Sequence, residues 1–385
     1  GSFFGGPDGG IWRSRDGGDS WEEITTNPGL PEGDTGRIGL TMSAADPDRV
    51  YALVDSATQT GLYRSDDLGE NWSFVTADAN ITARPFYFTH IYANPSNADE
   101  LWSPANKLWR SVDAGKTWIL EPSAKDDFQD IWIDPQDPMR MIATCDGGTA
   151  VTLTGGKSWS SFANQSGVQF YRVDTDDQFP YRVYGNAQDL LTYSIPSSSR
   201  WGGIPLHMTD FIGNGETGRA IPRPGDPNIV YGLSTGATFG AATQFTVNNL
   251  KTGQTEPRPV WPEILFGTPA SEFKYRFNWQ APFLVSPHDP NTIYFAGNVV
   301  FRSRDEGMTW EKISDDLTHN LTDKMKVAGS EWLPEYFGQE TFSTIHRLEE
   351  SPHERGVLWA GTDDGRLWIT RNGGGEWIEV TPPNL

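Results

Sequence analysis

The chain has 385 residues, including 41 Gly, 27 Pro, 16 Trp and one cysteine, and its formal net charge is −21 at pH 7. Such an acidic chain is not expected to bind nucleic acid or anionic membranes, because both interactions depend on clustered basic side chains. No apolar run approaches the roughly 18 residues of a membrane-spanning helix, and the lone Cys145 excludes an intrachain disulfide. The Gly, Pro and Trp content instead predicts many short strands joined by turns.

The strongest pattern is an octet, Ser/Thr-x-Asp-x-Gly-x-x-Trp, with Thr154 and Asn372 in the Asp position of two copies. Each copy lies between short apolar segments, so we expect it to form the turn of a β-hairpin. The Asp would accept hydrogen bonds from turn amides, the Gly would adopt a positive φ, and the Trp would pack beneath the turn. We assign this structural role to Asp16, Asp67, Asp113, Asp305, Asn372, Trp21, Trp72, Trp118, Trp159, Trp310 and Trp377.

Between the octets the chain repeats a second unit: an apolar strand, a turn rich in Pro and Asp, and another strand. In chain order these pairs are 38–43 with 50–54, 86–93 with 101–102, 130–133 with 141–144, 169–173 with 182–184, 219–221 with 229–232, 278–285 with 292–296, and 343–348 with 357–360. One pair plus one octet hairpin makes a four-stranded antiparallel sheet, so the chain is predicted to be all-β. Seven such sheets over residues 32–385 predict a seven-bladed β-propeller.

The repeat count leaves alternatives open. The first octet hairpin, within residues 1–31, has no strand pair, so it belongs either to a neighbouring blade or propeller of a longer protein or to an eighth blade. The long gap between the octets at Thr152 and Ser303 predicts two degenerate turns, at 194–201 and 249–253, and a long insertion occupies residues 318–341. A sandwich array is the rival architecture, but the regular spacing favours a propeller.

The octet resembles the Asp-box, or BNR repeat, of bacterial sialidases, xyloglucanase-type glycoside hydrolases and the sortilin (Vps10) luminal domain. The chain is most similar to large secreted bacterial sortilin-like or BNR-repeat "glycosyl hydrolase" proteins. This similarity is carried by segments such as RPFYFTHI at Arg84, QFYRVDTDDQFPYRVYG at Gln169 and KYRFNWQAPFLVSPHDPNTIYF at Lys274. The resemblance implies a propeller fold, further propeller domains of the same protein on both sides, and an extracellular or periplasmic location. It does not decide function, because the repeat occurs in enzymes and receptors alike.

A glycoside hydrolase needs two carboxylates facing one cleft, one to protonate the leaving oxygen and one to activate water or attack the sugar. Outside the repeated turns, the catalytic candidates are Asp210 and Glu216, which flank a Gly-rich stretch, and Glu335 in the insertion. Acidic turns and solvated loops are the favoured explanation of each of these residues. A sialidase is disfavoured, because Arg219-Ala-Ile-Pro222 only approximates the early signature of that family.

Aromatic and polar residues outside the octets predict a ligand-binding surface, because aromatic rings stack on sugars and pack on peptides. The candidates are Tyr87, His90, Tyr171, Asp189, Trp279, Trp332 and His346. His90, His346 and Trp279 are predicted to lie in strands, where packing between blades is the alternative role for Trp279. No histidine has the spacing of a metal site, so no metal or cofactor is predicted.

The leading functional prediction is an extracytoplasmic binding or scaffold module for a protein, peptide or carbohydrate ligand. The alternative is a xyloglucanase-like or other BNR-type glycoside hydrolase that uses a carboxylate pair. A sortilin receptor is disfavoured, because that family resembles a propeller followed by a cysteine-rich module and this chain has one cysteine.

Overall fold

The computed structural model describes residues 5–121, 126–162, 167–188, 190–212, 215–234, 244–262, 268–325, 328–329, 332, 334–335 and 341–383. These residues form an all-β chain of small antiparallel sheets, with one short α-helix at Ala79–Thr82. Contacts divide the chain into two compact units. The N-terminal unit contains Ser2–Ser166 and Gly329–Glu335, and the C-terminal unit contains Gly167–Ala328 and Tyr336–Leu385.

The N-terminal unit begins with a hairpin of Trp12–Arg13 and Glu22–Glu23 and continues with three sheets. The first sheet has the strands Thr35–Ser43, Asp46–Ser56, Gly61–Ser65 and Ser73–Thr76. The second sheet has Tyr92–Asn94, Asn97–Pro104, Leu108–Ser111 and Ile119–Leu120. The third sheet has Phe128–Ile133, Met141–Cys145 and Gly148–Thr152.

The C-terminal unit contains four four-stranded sheets among its described residues. The fourth sheet has Phe170–Thr175, Arg182–Ala187, Thr192–Pro196 and Asp210–Ile212, and the fifth has Arg219–Arg223, Asp226–Ser234, Gln244–Asn249 and Gln254–Pro257. The sixth has Phe283–Ser286, Asp289–Ala296, Val300–Ser303 and Glu311–Lys312, and the seventh has Ile345–Glu350, Leu358–Thr362, Leu367–Thr370 and Ile378–Glu379. Two short strands, Ala328–Gly329 and Pro334–Glu335, pair with each other.

Within each unit, the first strands of successive sheets are linked by hydrogen bonds. The Ser43 hydroxyl donates to the Asn94 carbonyl (2.6 Å), which joins the first and second sheets. Arg219 joins the fourth, fifth and sixth sheets, because it contacts Asp174 and the Phe283 carbonyl. Five of the seven predicted strand pairs are present at close to their predicted positions, and the other two have a shorter first strand than predicted. The number of propeller blades stays a prediction.

Two predicted strand segments are wrong. Residues 86–90 and 278–282 form turns and irregular chain instead of strand, so neither His90 nor Trp279 lies in a strand. A proline bounds each segment: Pro85 directly precedes the first, and Pro282 ends the second. Proline lacks the N–H that a ladder requires, which restricts it to edges and strand ends.

The octet turns share one hydrogen-bond pattern. In the turn after Gly61–Ser65, the Ser65 hydroxyl and the Asn71 backbone and side-chain N–H groups donate to Asp67 at 2.7–2.9 Å. The bonds from Asn71, together with that from Ser65, lower the pKa of Asp67 to about 2. Asp16, Asp113, Asp305 and Asn372 accept equivalent bonds in their own turns.

The burial of the octet Trp side chains varies more than predicted. Trp72 is 6% exposed and donates from its indole to the Gly69 carbonyl (3.0 Å), as predicted for a ring beneath the turn. Trp118, Trp159, Trp310 and Trp377 are half-buried, but Trp21 is 61% exposed, so its predicted packing is wrong.

Of the two degenerate turns, one is confirmed and one is wrong. The turn after Gln244–Asn249 leads into Gln254–Pro257, and the Asn249 side chain accepts from the Lys251 amide at 3.0 Å. At 194–201, Ser194 is buried within a strand and Trp201 is 65% exposed. Without the Asp and Gly of the octet, this segment forms a different, longer connection.

We expect Asp113→Ala to lower the free energy of unfolding by about 1–2 kcal/mol, because it removes the acceptor of three hydrogen bonds at 2.7–2.9 Å. Lys116→Ala in the same turn changes an exposed side chain and is the matched control. Chemical denaturation followed by tryptophan fluorescence measures both variants. Equal stability of the two variants would show that the Asp does not hold the turn.

Candidate functional site

The fourth, fifth and sixth sheets bring four predicted or neighbouring side chains into one hydrogen-bonded group, which we call the Tyr171 cluster: Tyr171, Gln188, Glu216 and Trp279. The Trp279 indole N–H donates to the Tyr171 hydroxyl oxygen (3.0 Å). The Tyr171 hydroxyl is hydrogen-bonded to Gln188 Oε1, and Gln188 Nε2 donates to Glu216 Oε2 (3.0 Å). All four side chains are half-buried, so the cluster combines apolar rings with a carboxylate.

Asn186 and Gly218 fix the backbone on both sides of Glu216. Asn186 is fully buried at the end of its strand, and its side-chain amide donates to the Gly215 carbonyl (2.9 Å) and the Thr217 carbonyl (3.0 Å). These two residues flank Glu216. At Gly218, φ is +100°, and a Cβ would lie 2.0 Å from the Leu233 carbonyl oxygen. The chain around Glu216 is therefore fixed by contacts that only Asn and Gly satisfy.

Asp210 is held elsewhere in the fourth sheet. It lies on the edge strand opposite Tyr171's strand, and its carboxylate forms an ion pair with Arg182 (2.7 Å), the residue that begins the second strand. Glu216 instead contacts Gln188, just after the end of that second strand. The contacts of the two carboxylates are therefore at opposite ends of one strand, and no contact between the two acids is observed. The side chain of Glu335, and all of Asp189, lie outside the described residues.

A second carboxylate in the C-terminal unit occupies the position that corresponds to Gln188. The backbone N–H of Gln188 donates to the Gln169 carbonyl (2.8 Å), and that of Asp363 donates to the Thr344 carbonyl (3.0 Å). In both sheets this residue follows the second strand. Burial and the adjacent Asp364 raise the pKa of Asp363, against hydrogen bonds from Thr344 and the charge of His346. The sequence analysis missed Asp363 because acids in turns were treated as structural.

The other ligand-binding candidates are distributed over the two units. His346 is exposed on the first strand of the seventh sheet. In the N-terminal unit, Tyr87 is half-exposed and packs edge-on against Phe88, with the Arg84 guanidinium 5.1 Å from its ring. Burial and the nearby Arg37 lower the pKa of His90, although Asp130 opposes them. The structure thus groups Tyr171, Glu216 and Trp279 in one hydrogen-bonded cluster.

Trp332 contacts a buried carboxylate in the N-terminal unit. Its indole N–H donates to Asp55 Oδ1 (2.8 Å), and Asp55 is only 2% exposed. Gly36 packs so closely that a Cβ there would lie 2.1 Å from Asp55 Oδ2. Burial raises the pKa of Asp55, against hydrogen bonds from Trp332, Thr60 and Ser56. Trp332 therefore has a structural contact in addition to any role in binding.

The raised pKa of Asp55 predicts a pH-dependent stability difference. The folded state retains this proton to higher pH than the unfolded chain, so the contribution of Asp55 to stability falls as pH rises from about 4 through its folded pKa. Asp55→Asn should therefore gain stability relative to the wild type as pH rises across that window. Urea denaturation at several pH values measures the difference. The control is Asp48→Asn on the same strand, which makes the same substitution at an exposed side chain outside this buried contact.

The described residues contain no group of three His, Cys, Asp or Glu side chains arranged to hold a metal ion. None of the helices in the described ranges is long and apolar enough to cross a membrane.

Comparison with known proteins gives one curated relative and several solved structures. No family model matches the chain. A xyloglucanase from Paenibacillus sp is 24% identical over 326 residues, which are 79% of this chain and 29% of the relative, so the chain spans less than a third of that protein. The GH74 xyloglucanase of Xanthomonas campestris is 14% identical, with 95% of this chain and 49% of that chain covered and a TM-score of 0.30. YCF48 bound to a D1 peptide is 12% identical, with 97% and 85% covered and a TM-score of 0.31. These TM-scores are too low to carry an argument.

Proposed function

We propose that this chain is part of an extracytoplasmic glycoside hydrolase that cleaves a β-glucan of the xyloglucan type. The observation that carries the proposal is the similarity to a xyloglucanase over 79% of the chain. It favours the hydrolase alternative over the binding-scaffold prediction. We further propose that the seven sheets are blades of a β-propeller, which is supported by the hydrogen-bonded first strands within each unit.

The Tyr171 cluster supplies the chemistry for this proposal. Trp279 and Tyr171 are half-buried aromatic residues suited to stacking on a sugar ring, and Glu216 places a carboxylate beside them. Glu216 acts as the base or nucleophile. Asp363, whose pKa is raised, acts as the proton donor to the leaving oxygen. Asp363 corresponds in its position to Gln188, the hydrogen-bond partner of Glu216.

The full-length protein, incubated with xyloglucan, mixed-linkage β-glucan and a neutral mannan, tests the proposal by reducing-end release and by product size. We expect release from xyloglucan and little from the mannan. Binding of xyloglucan without release would overturn the hydrolase proposal and restore the scaffold prediction. If the protein neither binds nor cleaves any of these glycans, the proposal of a β-glucan ligand is overturned.

A further inference from the structure

Three arginines on the first strands of three sheets form an electrostatic group in the C-terminal unit. They are Arg172 on the fourth sheet, Arg219 on the fifth and Arg347 on the seventh. Besides burial, the charges of Arg347 and Arg219 lower the pKa of Arg172, while Asp174 and Glu349 partly oppose them. In a chain with a net charge of −21, such a concentration of like positive charges stands out.

Two of these arginines are neutralised by protein carboxylates. Arg219 donates from Nε and Nη2 to the two oxygens of Asp174, both at 2.7 Å, and Arg347 pairs with Glu349 at 2.5 Å. Arg172 differs, because its guanidinium donates to the Gln280 carbonyl (3.3 Å). Within the part of the chain that the structure describes, no carboxylate lies within ion-pair distance of Arg172. The two nearby carboxylates, Asp174 and Glu349, are already paired with Arg219 and Arg347, so Arg172 is a partly desolvated cation with no ion pair of its own. Burying such a cation is costly, and an arriving anion would offset that cost.

Arg172 adjoins the Tyr171 cluster on two sides. It follows Tyr171 in the same strand, and its hydrogen-bond acceptor, Gln280, follows Trp279 in the same turn. Arg172 is therefore next to Tyr171 along the chain, and its guanidinium contacts the backbone that directly follows Trp279. Guanidinium groups bind carboxylates preferentially, because two parallel N–H groups match the two oxygens.

We propose that Arg172 binds a carboxylate carried by the glycan, so that among β-glucan chains the site prefers those that bear uronic-acid residues. This inference rests on the proposed function, since it names the substrate class of the same site. The proposed carboxylate site requires only that the glycan binds, whereas the proposed hydrolase also requires that the glycan is cleaved. Measurements of binding and of cleavage therefore separate the two proposals.

Calorimetric titration of the full-length protein with trigalacturonate and with cellotriose tests the proposal. We expect trigalacturonate to bind more tightly at low salt, and Arg172→Gln to weaken its binding at least about tenfold while leaving cellotriose binding unchanged. Arg172→Lys keeps the charge and should lose only part of the affinity. Arg304→Gln removes an exposed arginine in the octet turn of the sixth sheet and is the matched control. Thermal unfolding establishes that each variant is folded.

Equal affinity for the two trisaccharides, or unchanged trigalacturonate binding by a folded Arg172→Gln protein, would overturn the proposal. If Arg172→Gln does not fold, full trigalacturonate affinity in Arg172→Lys at high salt would contradict it, because a charge-dependent site must weaken there. Selective binding of trigalacturonate without hydrolysis of any glycan would support the carboxylate site and overturn the hydrolase.

Discussion

Glu216→Gln should reduce kcat for β-glucan hydrolysis by at least about a hundredfold while changing glycan affinity little. The amide preserves the size of the side chain and can still accept the hydrogen bond from Gln188, but it cannot act as a base or nucleophile. Initial rates of reducing-end release, together with calorimetric titration of the same glycan, separate the two effects. Retention of the wild-type kcat would exclude Glu216 from the reaction.

The matched control for this prediction is Glu256→Gln in the edge strand of the fifth sheet. Glu256 is exposed and forms an ion pair with Arg258 at 2.8 Å, so its loss should leave kcat unchanged. If Glu216→Gln and Glu256→Gln lose activity equally, the effect is not specific to the Tyr171 cluster.

Asp363→Asn tests the proposed proton donor, and it should remove the limb of the pH profile in which activity falls as pH rises.

Phe295→Ala should lower the free energy of unfolding by about 3–5 kcal/mol. Phe295 is 0% exposed and stacks on Phe277, with ring centroids 5.2 Å apart, in the largest apolar cluster of the C-terminal unit. Truncation loses this burial and leaves a cavity that rigid neighbouring rings cannot fill. Leu206→Ala, which truncates a side chain that is 72% exposed, should change stability by less than about 0.5 kcal/mol. Similar denaturation midpoints for the two variants would contradict the assigned core.

The strand pairs and most octet turns were predictable because their signals are local. An Asp two residues after Ser65 or Ser111 accepts bonds within its own turn, and alternating apolar residues mark the strands beside it. The strand predictions failed near Pro85 and Pro282, where the chain forms turns, because apolar content alone does not distinguish a strand from an irregular segment. Prediction also failed for Trp201, which keeps the spacing of an octet but lacks the Asp and Gly that close the turn.

The candidate site was only partly predictable from the sequence. Tyr171, Glu216 and Trp279 were identified from residue type, but Tyr171 and Trp279 are 108 residues apart and no local pattern predicts their hydrogen bond. Gln188 and Asn186, which link and support the cluster, carry no distinctive sequence signal. Asp363 lies in a turn whose sequence resembles many solvated acidic turns. Tertiary contacts between sheets, and the burial that raises the pKa of Asp363, had to come from the structure.

The hydrogen bonds of the Tyr171 cluster run in one direction, from the Trp279 indole N–H through Tyr171 and Gln188 to the Glu216 carboxylate. An indole can only donate and an ionised carboxylate can only accept, so the charge on Glu216 fixes the orientation of the amide between them. A protonated Glu216 can donate as well as accept, so the reversed amide orientation, with Gln188 Oε1 facing Glu216 and Nε2 facing the Tyr171 oxygen, then also satisfies both neighbours. The phenolic proton of Tyr171 then turns away from Gln188. The protonation state of Glu216 thus decides which atom of the Gln188 amide faces the Tyr171 hydroxyl.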